Sequence, residues 1–284
     1  ESAVAAALCR RSPRRGAGFV ACLAAVLALP LHAALRVDVN LNEDRKEILT
    51  RGWENWQVVD GQTAARKFGE VTVTLRNVGG RALSGDWSKA GLQAGATMAA
   101  DGVAVRGQGR VAVEITLDGL APGWHSLATY NNWLWEKSSP SACDITVDGK
   151  AAVGGFRPSL LVTNDFDAAS AFVEFTATAG KPVVVRVEAE GAVVLNGFEL
   201  NLPKPALKAG RPSSVNYDEH APENTLLAWQ PARGATAHLL YLGTDSNAVA
   251  HATQSSPEFK GRMTEGKFTA GRLSHMNNSF WRVD

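Results

Sequence analysis

The sequence predicts an all-β protein, a β-sandwich of the jelly-roll type followed by a second, smaller sandwich. Apolar and polar residues alternate with a period of two in several short stretches, and glycine-containing turn pairs separate these stretches. After residue 35, no stretch keeps a 3.6-residue period over a full helix length. The 284 residues, 45% hydrophobic and 20% charged, suffice for about two packed domains, and a disordered chain is excluded.

The strands and turns are predicted in order along the chain. Alternating stretches predict strands at Val71–Leu75, Val111–Leu117, Ala171–Phe175, Val183–Val187 and Val193–Leu200. Turn signals stand between them at Asn77–Gly80, Asp118–Gly119, Asp148–Gly149, Ala179–Gly180 and Glu190–Gly191. Ser88–Ala100 is a weak helical candidate, and its glycines favour a loop with a short turn of helix.

Residues 1–34 have the layout of a secretory signal peptide. Four arginines, the last of them Arg15, precede an apolar run of 13 residues from Ala17 to Leu29, and small residues follow at Ala33 and Ala34. The run is shorter than the roughly 20 residues that a membrane-spanning helix needs. We therefore expect a secreted or extracellular protein, with the periplasm as the alternative location, and no membrane contact after cleavage. A buried N-terminal helix and a lipid anchor at Cys22 are the alternatives.

Charge and cysteine content exclude several classes of protein. The net charge of +1 is too weak for a nucleic-acid binder that neutralises phosphates. Three cysteines cannot form a disulfide scaffold or a four-cysteine zinc site. Signal removal takes away four Arg and one Glu, which leaves 25 basic and 27 acidic residues and a net charge of −2. Cys143 alone then remains, and we expect it to be a buried, inert thiol.

Aromatic residues are concentrated in the first domain. Six of the eight tryptophans fall in one stretch, at Trp53, Trp56, Trp87, Trp124, Trp133 and Trp135. Alternation places Trp124, Ser126, Ala128 and Tyr130 on one face of a strand and His125, Leu127 and Thr129 on the other. The strand leads into a loop, Asn131–Trp135. Aromatic rings pack against the C–H face of a pyranose, while amides and carboxylates bind its hydroxyls, so this pattern is typical of sugar recognition. The alternative is that the rings fill the core.

Residues 35–202 resemble the malectin-like or galactose-binding-like β-sandwiches, a group that includes many carbohydrate-binding modules. The resemblance rests on Leu35–Asn40, on Gly123–Asn131, and on Ala171–Phe175 with Val194–Leu200. It implies a non-catalytic module that binds a polysaccharide or oligosaccharide on loops at one end of the sandwich. The matching positions are Trp53, Trp56, Tyr130, Asn131, Trp133, Trp135 and Asp165.

A proline-rich linker at 203–214 precedes a second domain, 215–284. Leu226–Ala232, His238–Asp245 and Phe280–Asp284 resemble a fibronectin type III-like module, an immunoglobulin-like sandwich common in bacterial secreted polysaccharide-degrading enzymes. The resemblance implies a spacer with Trp229, Tyr241 and Trp281 on its strands. A last strand is missing, so we expect the natural protein to continue beyond Asp284, with a catalytic domain in the same chain.

Two further functions and one ion remain open. His125 and Tyr130 could be the base and acid of a polysaccharide lyase or hydrolase, although their opposite parity places them on opposite faces. The sandwich could instead have a purely structural or docking role. No cofactor is expected, except that Asp165 and Asp167 could hold a structural calcium ion.

Overall fold

The structure, a computed structural model, describes residues 34–41, 48–58, 60–213, 222, 224–273 and 277–284, with residue 206 described by its backbone alone. The predicted signal peptide lies outside the described residues except for Ala34. The described chain is built mainly of strands, so the prediction of an all-β sandwich is confirmed. Within this part of the chain, no helix has the length and apolar character needed to cross a membrane.

The first of the two large sheets, sheet A, has five strands. Their spatial order is β12 (Ser170–Ala177), β7 (Gly123–Tyr130), β14 (Gly197–Leu200), β1 (Leu35–Asn40) and β2 (Glu54–Gln57). Neighbouring strands are antiparallel, except that β1 and β2 are parallel. Strand β12 forms one edge of this sheet.

The second large sheet, sheet B, packs against sheet A. Its strands are β10 (Lys150–Phe156), β9 (Cys143–Val147), β13 (Val183–Leu195), β6 (Asp101–Asp118), β4 (Val71–Val78) and β3 (Thr63–Phe68), with β5 (Leu83–Trp87) paired to β6. A short parallel pair, β8 (Asn132–Trp133) and β11 (Ser159–Leu160), lies beside the sandwich.

The core lies between the two sheets and follows the period of two. On β13, Val183, Val185 and Val187 are at most 3% exposed, while the residues between them are partly exposed. On sheet A, Phe198 and Leu200 point into the same core. Cys143 is buried there as expected, and this burial raises the pKa of its thiol to about 11.

The turns follow the predicted positions with one exception. Asp148 and Gly149, at φ 48° and 76°, make a two-residue hairpin between β9 and β10, because a type I′ turn needs positive φ at both residues. The prediction of a turn at Glu190–Gly191 is wrong. Strand β13 continues through this point in a bulge, where Gly191 takes φ 80° and the register with β6 shifts. The strand ends later, at Leu195, and Asn196 separates β13 from β14.

The described residues between 210 and 283 include two small sheets of three strands each. One contains β15 (Gly210–Ser213), β16 (Leu226–Gln230) and β19 (Lys267–Thr269), and the other contains β18 (Phe259–Met263), β17 (His238–Gly243) and β20 (Phe280–Val283). Two short α-helices, α1 (Lys89–Gln93) and α2 (Ser246–His251), and three 3-10 turns complete the elements that lie wholly within the described residues. Helix α1 falls within the segment for which a loop with a short turn of helix is predicted. Trp229 and Tyr241 are buried, and Trp281 is half-buried.

Candidate functional site

Two of the predicted binding residues, Trp56 and Trp133, lie in the interior. Trp56 is 4% exposed, and its ring meets Phe68 edge-on with 5.7 Å between centroids. Trp133 is 6% exposed, and its indole N–H donates a hydrogen bond to Ser138 Oγ at 3.2 Å. Both rings are covered by neighbouring strands, so neither is accessible to a ligand in this structure. These two tryptophans follow the alternative in which aromatic residues fill the core.

Asn131 is also buried, and its side-chain amide is occupied at both ends. Its Nδ2 donates to the carbonyl oxygen of Val194 at 2.7 Å, and its Oδ1 accepts from the Thr129 hydroxyl at 2.9 Å. A buried carbonyl such as that of Val194 needs a donor, which the amide supplies. The polar loop that suggested a binding surface therefore contains an internal hydrogen-bonding network.

Asp165 stabilises a turn within the fold. Its carboxylate accepts hydrogen bonds from the backbone N–H and hydroxyl of Thr97 and from the N–H of Ala99, at the start of the 3-10 turn Met98–Ala100. Asp167 forms an ion pair with Arg211. Among the described residues, no group of three or more His, Cys, Asp or Glu side chains is arranged to hold a metal ion. The contacts of Asp165 and Asp167 thus lend no support to a calcium site.

Trp135 is partly exposed, but one face of its ring is covered. The Arg106 guanidinium lies 3.9 Å from the ring centroid, and the indole N–H donates to Asp86 Oδ2 at 2.6 Å. Arg106 also forms an ion pair with Asp86. A cation at this contact distance takes the position on the ring that a sugar would need.

Trp53 and Tyr130 are half-buried and lie together on the outer face of sheet A. Their rings meet edge-on with 5.8 Å between centroids. The Tyr130 hydroxyl donates to Glu199 Oε2 at 3.1 Å, and Glu199 also accepts from Arg36 and Lys208. Burial and the negative charge of Glu199 raise the pKa of Tyr130 well above its usual value. Such a hydroxyl is a poor proton donor for catalysis.

The two residues of the catalytic alternative are not brought together. His125 is 1% exposed and stacks on Phe175 inside the core, with ring nitrogens 2.9 Å from Asn201 Oδ1 and 2.8 Å from the Ala121 carbonyl oxygen. Tyr130 points to the opposite face of the sheet, as the alternation along β7 predicts. One substrate atom cannot reach both groups.

A groove that the sequence did not predict runs along β12, the edge strand of sheet A, and includes the outer face of β7 and β12. It has a volume of about 1050 Å³ and is bounded by the segment 201–207 and by the hairpin between β9 and β10. Trp124 is 54% exposed here, and Phe172, further along β12, is half-buried. We call this depression the Trp124 groove. Its principal lining side chains are Trp124, Ser126, Asp148, Lys150, Phe172, Glu174, Thr176, Asn201, Lys204 and Leu207.

The register of β7 and β12 fixes the order of side chains on the floor of the groove. Facing pairs are Trp124 with Thr176, Ser126 with Glu174, and Ala128 with Phe172. All six residues point outwards, because the residues between them belong to the core. The floor therefore presents an indole, then a carboxylate, then a phenyl ring along the sheet.

The segment 201–207 is held against the sheet by hydrogen bonds. The backbone N–H of Asn201 donates to the carbonyl oxygen of Ser126 at 2.8 Å, and the Ser126 hydroxyl donates to the carbonyl oxygen of Leu202 at 3.0 Å. Lys204 Nζ lies 5.9 Å from the centroid of Phe172. The groove thus has a fixed wall with a cation on it, and a floor with aromatic rings and one carboxylate.

The sequence contained part of the signal for this site. Alternation along β7 placed Trp124 on the face of Tyr130, but position within a loop favoured Trp133 and Trp135 instead. The segment 201–207 and the β9–β10 hairpin determine which part of sheet A stays exposed. Both are distant from Trp124 in the sequence, so the residues around Trp124 do not predict its exposure. Trp53 lines a separate, smaller depression of about 520 Å³ with Arg36 and Glu54.

Comparisons with known proteins return few matches. No protein-family model matches the chain. No curated protein matches it either. The solved structures that align with it include the GH31 alpha-xylosidase from Xanthomonas citri, with a TM-score of 0.21, 13% identity, and coverage of 46% of this chain and 19% of that chain.

Two further solved structures also align. Paenibacillus xanthan lyase gives a TM-score of 0.30 and 9% identity, over 74% of this chain and 24% of that chain. Tandem CBM51 modules of a family 98 glycoside hydrolase from Streptococcus pneumoniae give 0.22 and 10%, over 65% of this chain and 78% of that chain. The chain therefore spans a quarter or less of the xylosidase and lyase. Each of these proteins has a carbohydrate-related name, but we draw no functional conclusion at such TM-scores.

Proposed function

We propose that this chain is a non-catalytic glycan-binding protein and that the Trp124 groove binds the glycan. One observation carries the proposal, the exposed indole of Trp124 in a groove that also presents Phe172 and Glu174. Trp124 differs from other exposed aromatic residues because it lines a groove with a second ring and a carboxylate, and ligand sites combine an apolar lining with a few polar groups. The ring suits the C–H face of a pyranose, and the carboxylate suits its hydroxyls.

The wider setting is also proposed. The layout of residues 1–34 supports export, and the residues that resemble a malectin-like or galactose-binding-like sandwich and a fibronectin type III-like module support an accessory region of a larger secreted enzyme. Binding is preferred over catalysis because the Tyr130 hydroxyl and the His125 ring are engaged on opposite faces of one strand. Exported protein in a cell fraction assay, with cleavage near Ala34, would test the localisation.

Affinity electrophoresis tests the binding function directly. The protein is run in gels that contain β-glucan, xylan, galactomannan or polygalacturonate, and we expect retardation in at least one of them. Trp124→Ala should abolish it. Trp87→Ala is the matched control, because Trp87 is 42% exposed but lies on β5 of sheet B.

Three results of the electrophoresis are informative. Retardation lost in Trp124→Ala and kept in Trp87→Ala supports the proposal. Retardation lost in Trp53→Ala alone would move the site to the smaller depression beside Arg36. No retardation by any of the four polysaccharides, with the protein shown to be folded by circular dichroism, would overturn the function.

A further inference from the structure

The two aromatic rings of the Trp124 groove stand far apart. Trp124 lies opposite Thr176, and Phe172 precedes Thr176 by four residues on β12. Four residues of strand span about 13 Å, and paired strands are about 5 Å apart. The Cα atoms of Trp124 and Phe172 are therefore about 14 Å apart. Side chains on one face of a sheet stand roughly perpendicular to it, so the two rings are separated by a similar distance and one sugar cannot stack on both.

A single accessible polar group lies on the floor between the rings. Ser126, opposite Glu174, is 1% exposed, and its hydroxyl already donates to the carbonyl oxygen of Leu202. Glu174 is exposed and forms no ion pair or hydrogen bond with the described residues. Its carboxylate is thus free to accept hydrogen bonds from sugar hydroxyls, midway along the groove.

We infer that the Trp124 groove binds an extended run of at least three sugars, with the outer two stacked on Trp124 and Phe172 and a middle one hydrogen-bonded to Glu174. This inference rests on the proposed function and names its ligand class. An oligosaccharide of this length gains from each ring in turn, whereas a single terminal sugar reaches one ring only. The groove is therefore specific for chain length as well as for sugar chemistry.

Isothermal titration calorimetry with oligosaccharides of one to six sugars tests this inference. The oligosaccharides come from whichever of the four polysaccharides above retards the protein most. We expect the dissociation constant to fall at least about tenfold between two and four sugars, the gain from one further well-packed contact. Trp124→Ala and Phe172→Leu should each weaken tetrasaccharide binding by about tenfold.

Controls separate this inference from the proposed function. Phe166→Leu is matched to Phe172→Leu, because Phe166 is 51% exposed but outside the groove, and it should leave the length dependence unchanged. A monosaccharide that binds as tightly as a hexasaccharide would overturn the inference, as would a length dependence unaffected by Phe172→Leu. In either case the proposed function would still hold, provided that Trp124→Ala abolishes binding. If the wild-type protein binds none of the oligosaccharides, whatever their length, both the inference and the proposed function are overturned.

Discussion

At the scale of single residues, the surroundings of each tryptophan decide whether it can bind a ligand. These surroundings differ among Trp124, Trp133 and Trp135, although the three lie close together in the sequence. Trp133 is buried, Trp135 is covered by Arg106, and Trp124 is 54% exposed. An indole contributes to binding only if a face is open to the ligand. The exposed fraction of the ring, set by residues distant in the chain, is thus the property that sequence could not supply.

Asp38 is a buried carboxyl group whose charge state affects stability. It is fully buried on the outer face of sheet A, where Oδ2 accepts from the Thr50 N–H at 2.8 Å and Oδ1 has no hydrogen-bond partner among the described residues. Burial, with a smaller contribution from the charge of Asp165, raises the pKa of this carboxyl from 3.8 to about 7. The native state therefore keeps the proton over a range in which the unfolded chain has lost it.

This pKa predicts a pH dependence with a definite sign. Between pH 4 and 7 the folded protein binds one more proton at Asp38 than the unfolded chain, so the free energy of unfolding falls as the pH rises. Asp38→Asn keeps an acceptor for Thr50 and removes the charge. We expect it to match the wild type near pH 4 and to be more stable at pH 7, by up to about 4 kcal/mol.

Urea unfolding at pH 4, 5, 6, 7 and 8 measures this difference. Asp118→Asn is the control, because Asp118 is an exposed carboxylate at the end of β6. Parallel stability curves for the wild type and Asp38→Asn would contradict the expectation and would show that Asp38 has an ordinary pKa.

At the scale of elements, ion pairs hold the segment after β14 in place beside the groove. Glu199 is 4% exposed and accepts from Arg36 Nε at 3.1 Å, from Lys208 Nζ at 2.7 Å and from the Tyr130 hydroxyl. Lys208 directly follows the segment 201–207 that forms the wall of the groove. The contact thus connects the floor of sheet A to that wall.

Glu199→Gln should weaken this connection. The glutamine can still accept from Tyr130, but it leaves two cations without their buried counter-charge. We expect a loss of about 2 kcal/mol in the free energy of unfolding, below the value for a fully buried pair because Arg36 and Lys208 are partly exposed. We also expect glycan affinity to fall by about threefold, because the wall is less fixed.

Glu265→Gln is the matched control, since Glu265 pairs only with Lys267 at an exposed position. Chemical unfolding and calorimetry with the tetrasaccharide measure the two quantities. Full stability in Glu199→Gln would contradict the role assigned to this carboxylate.

The strands show what was predictable from sequence. Val111–Leu117 and Val183–Val187 were found because a strand with one buried face alternates strictly. The first half of β6, from Asp101 to Gln108, was missed because its glycines resemble turn residues, yet pairing with β5 and β13 maintains it as strand. Gly191 was interpreted as a turn for the same reason. Local signals identify the strands, while long-range pairing decides where they end.

The same limit applies to the site. The sequence points to strand β7, which lines the proposed site, but it favours Trp133 and Trp135 over Trp124. The groove forms where β7 and β12 meet the β9–β10 hairpin and the segment 201–207. These contacts are long-range, so no local sequence pattern predicts them. Phe172 and Glu174 were recognised only as members of a strand.

At the scale of the whole molecule, the described hydrophobic cores are separate. The large core lies between sheets A and B, two small clusters lie on elements of the same sandwich, and a fourth cluster around Tyr241 and Val249 lies among residues 239–280. Cores that share no residues can unfold separately. The groove belongs to the large sandwich, so a ligand should stabilise that part of the protein alone.

Differential scanning calorimetry tests this division. We expect two unfolding transitions, one for the large sandwich and one for the part around Tyr241 and Val249. Tetrasaccharide at about 100 times its dissociation constant should stabilise only the transition of the large sandwich, by about 2.7 kcal/mol. Leu240→Ala, at a fully buried position on β17, should lower only the other transition by about 3 kcal/mol. Trp124→Ala serves as the ligand control, because it should remove the first shift and leave the second unchanged. A single transition displaced by both the ligand and Leu240→Ala would mean that the two parts unfold as one cooperative unit, with binding in the groove stabilising residues 226–283 as well.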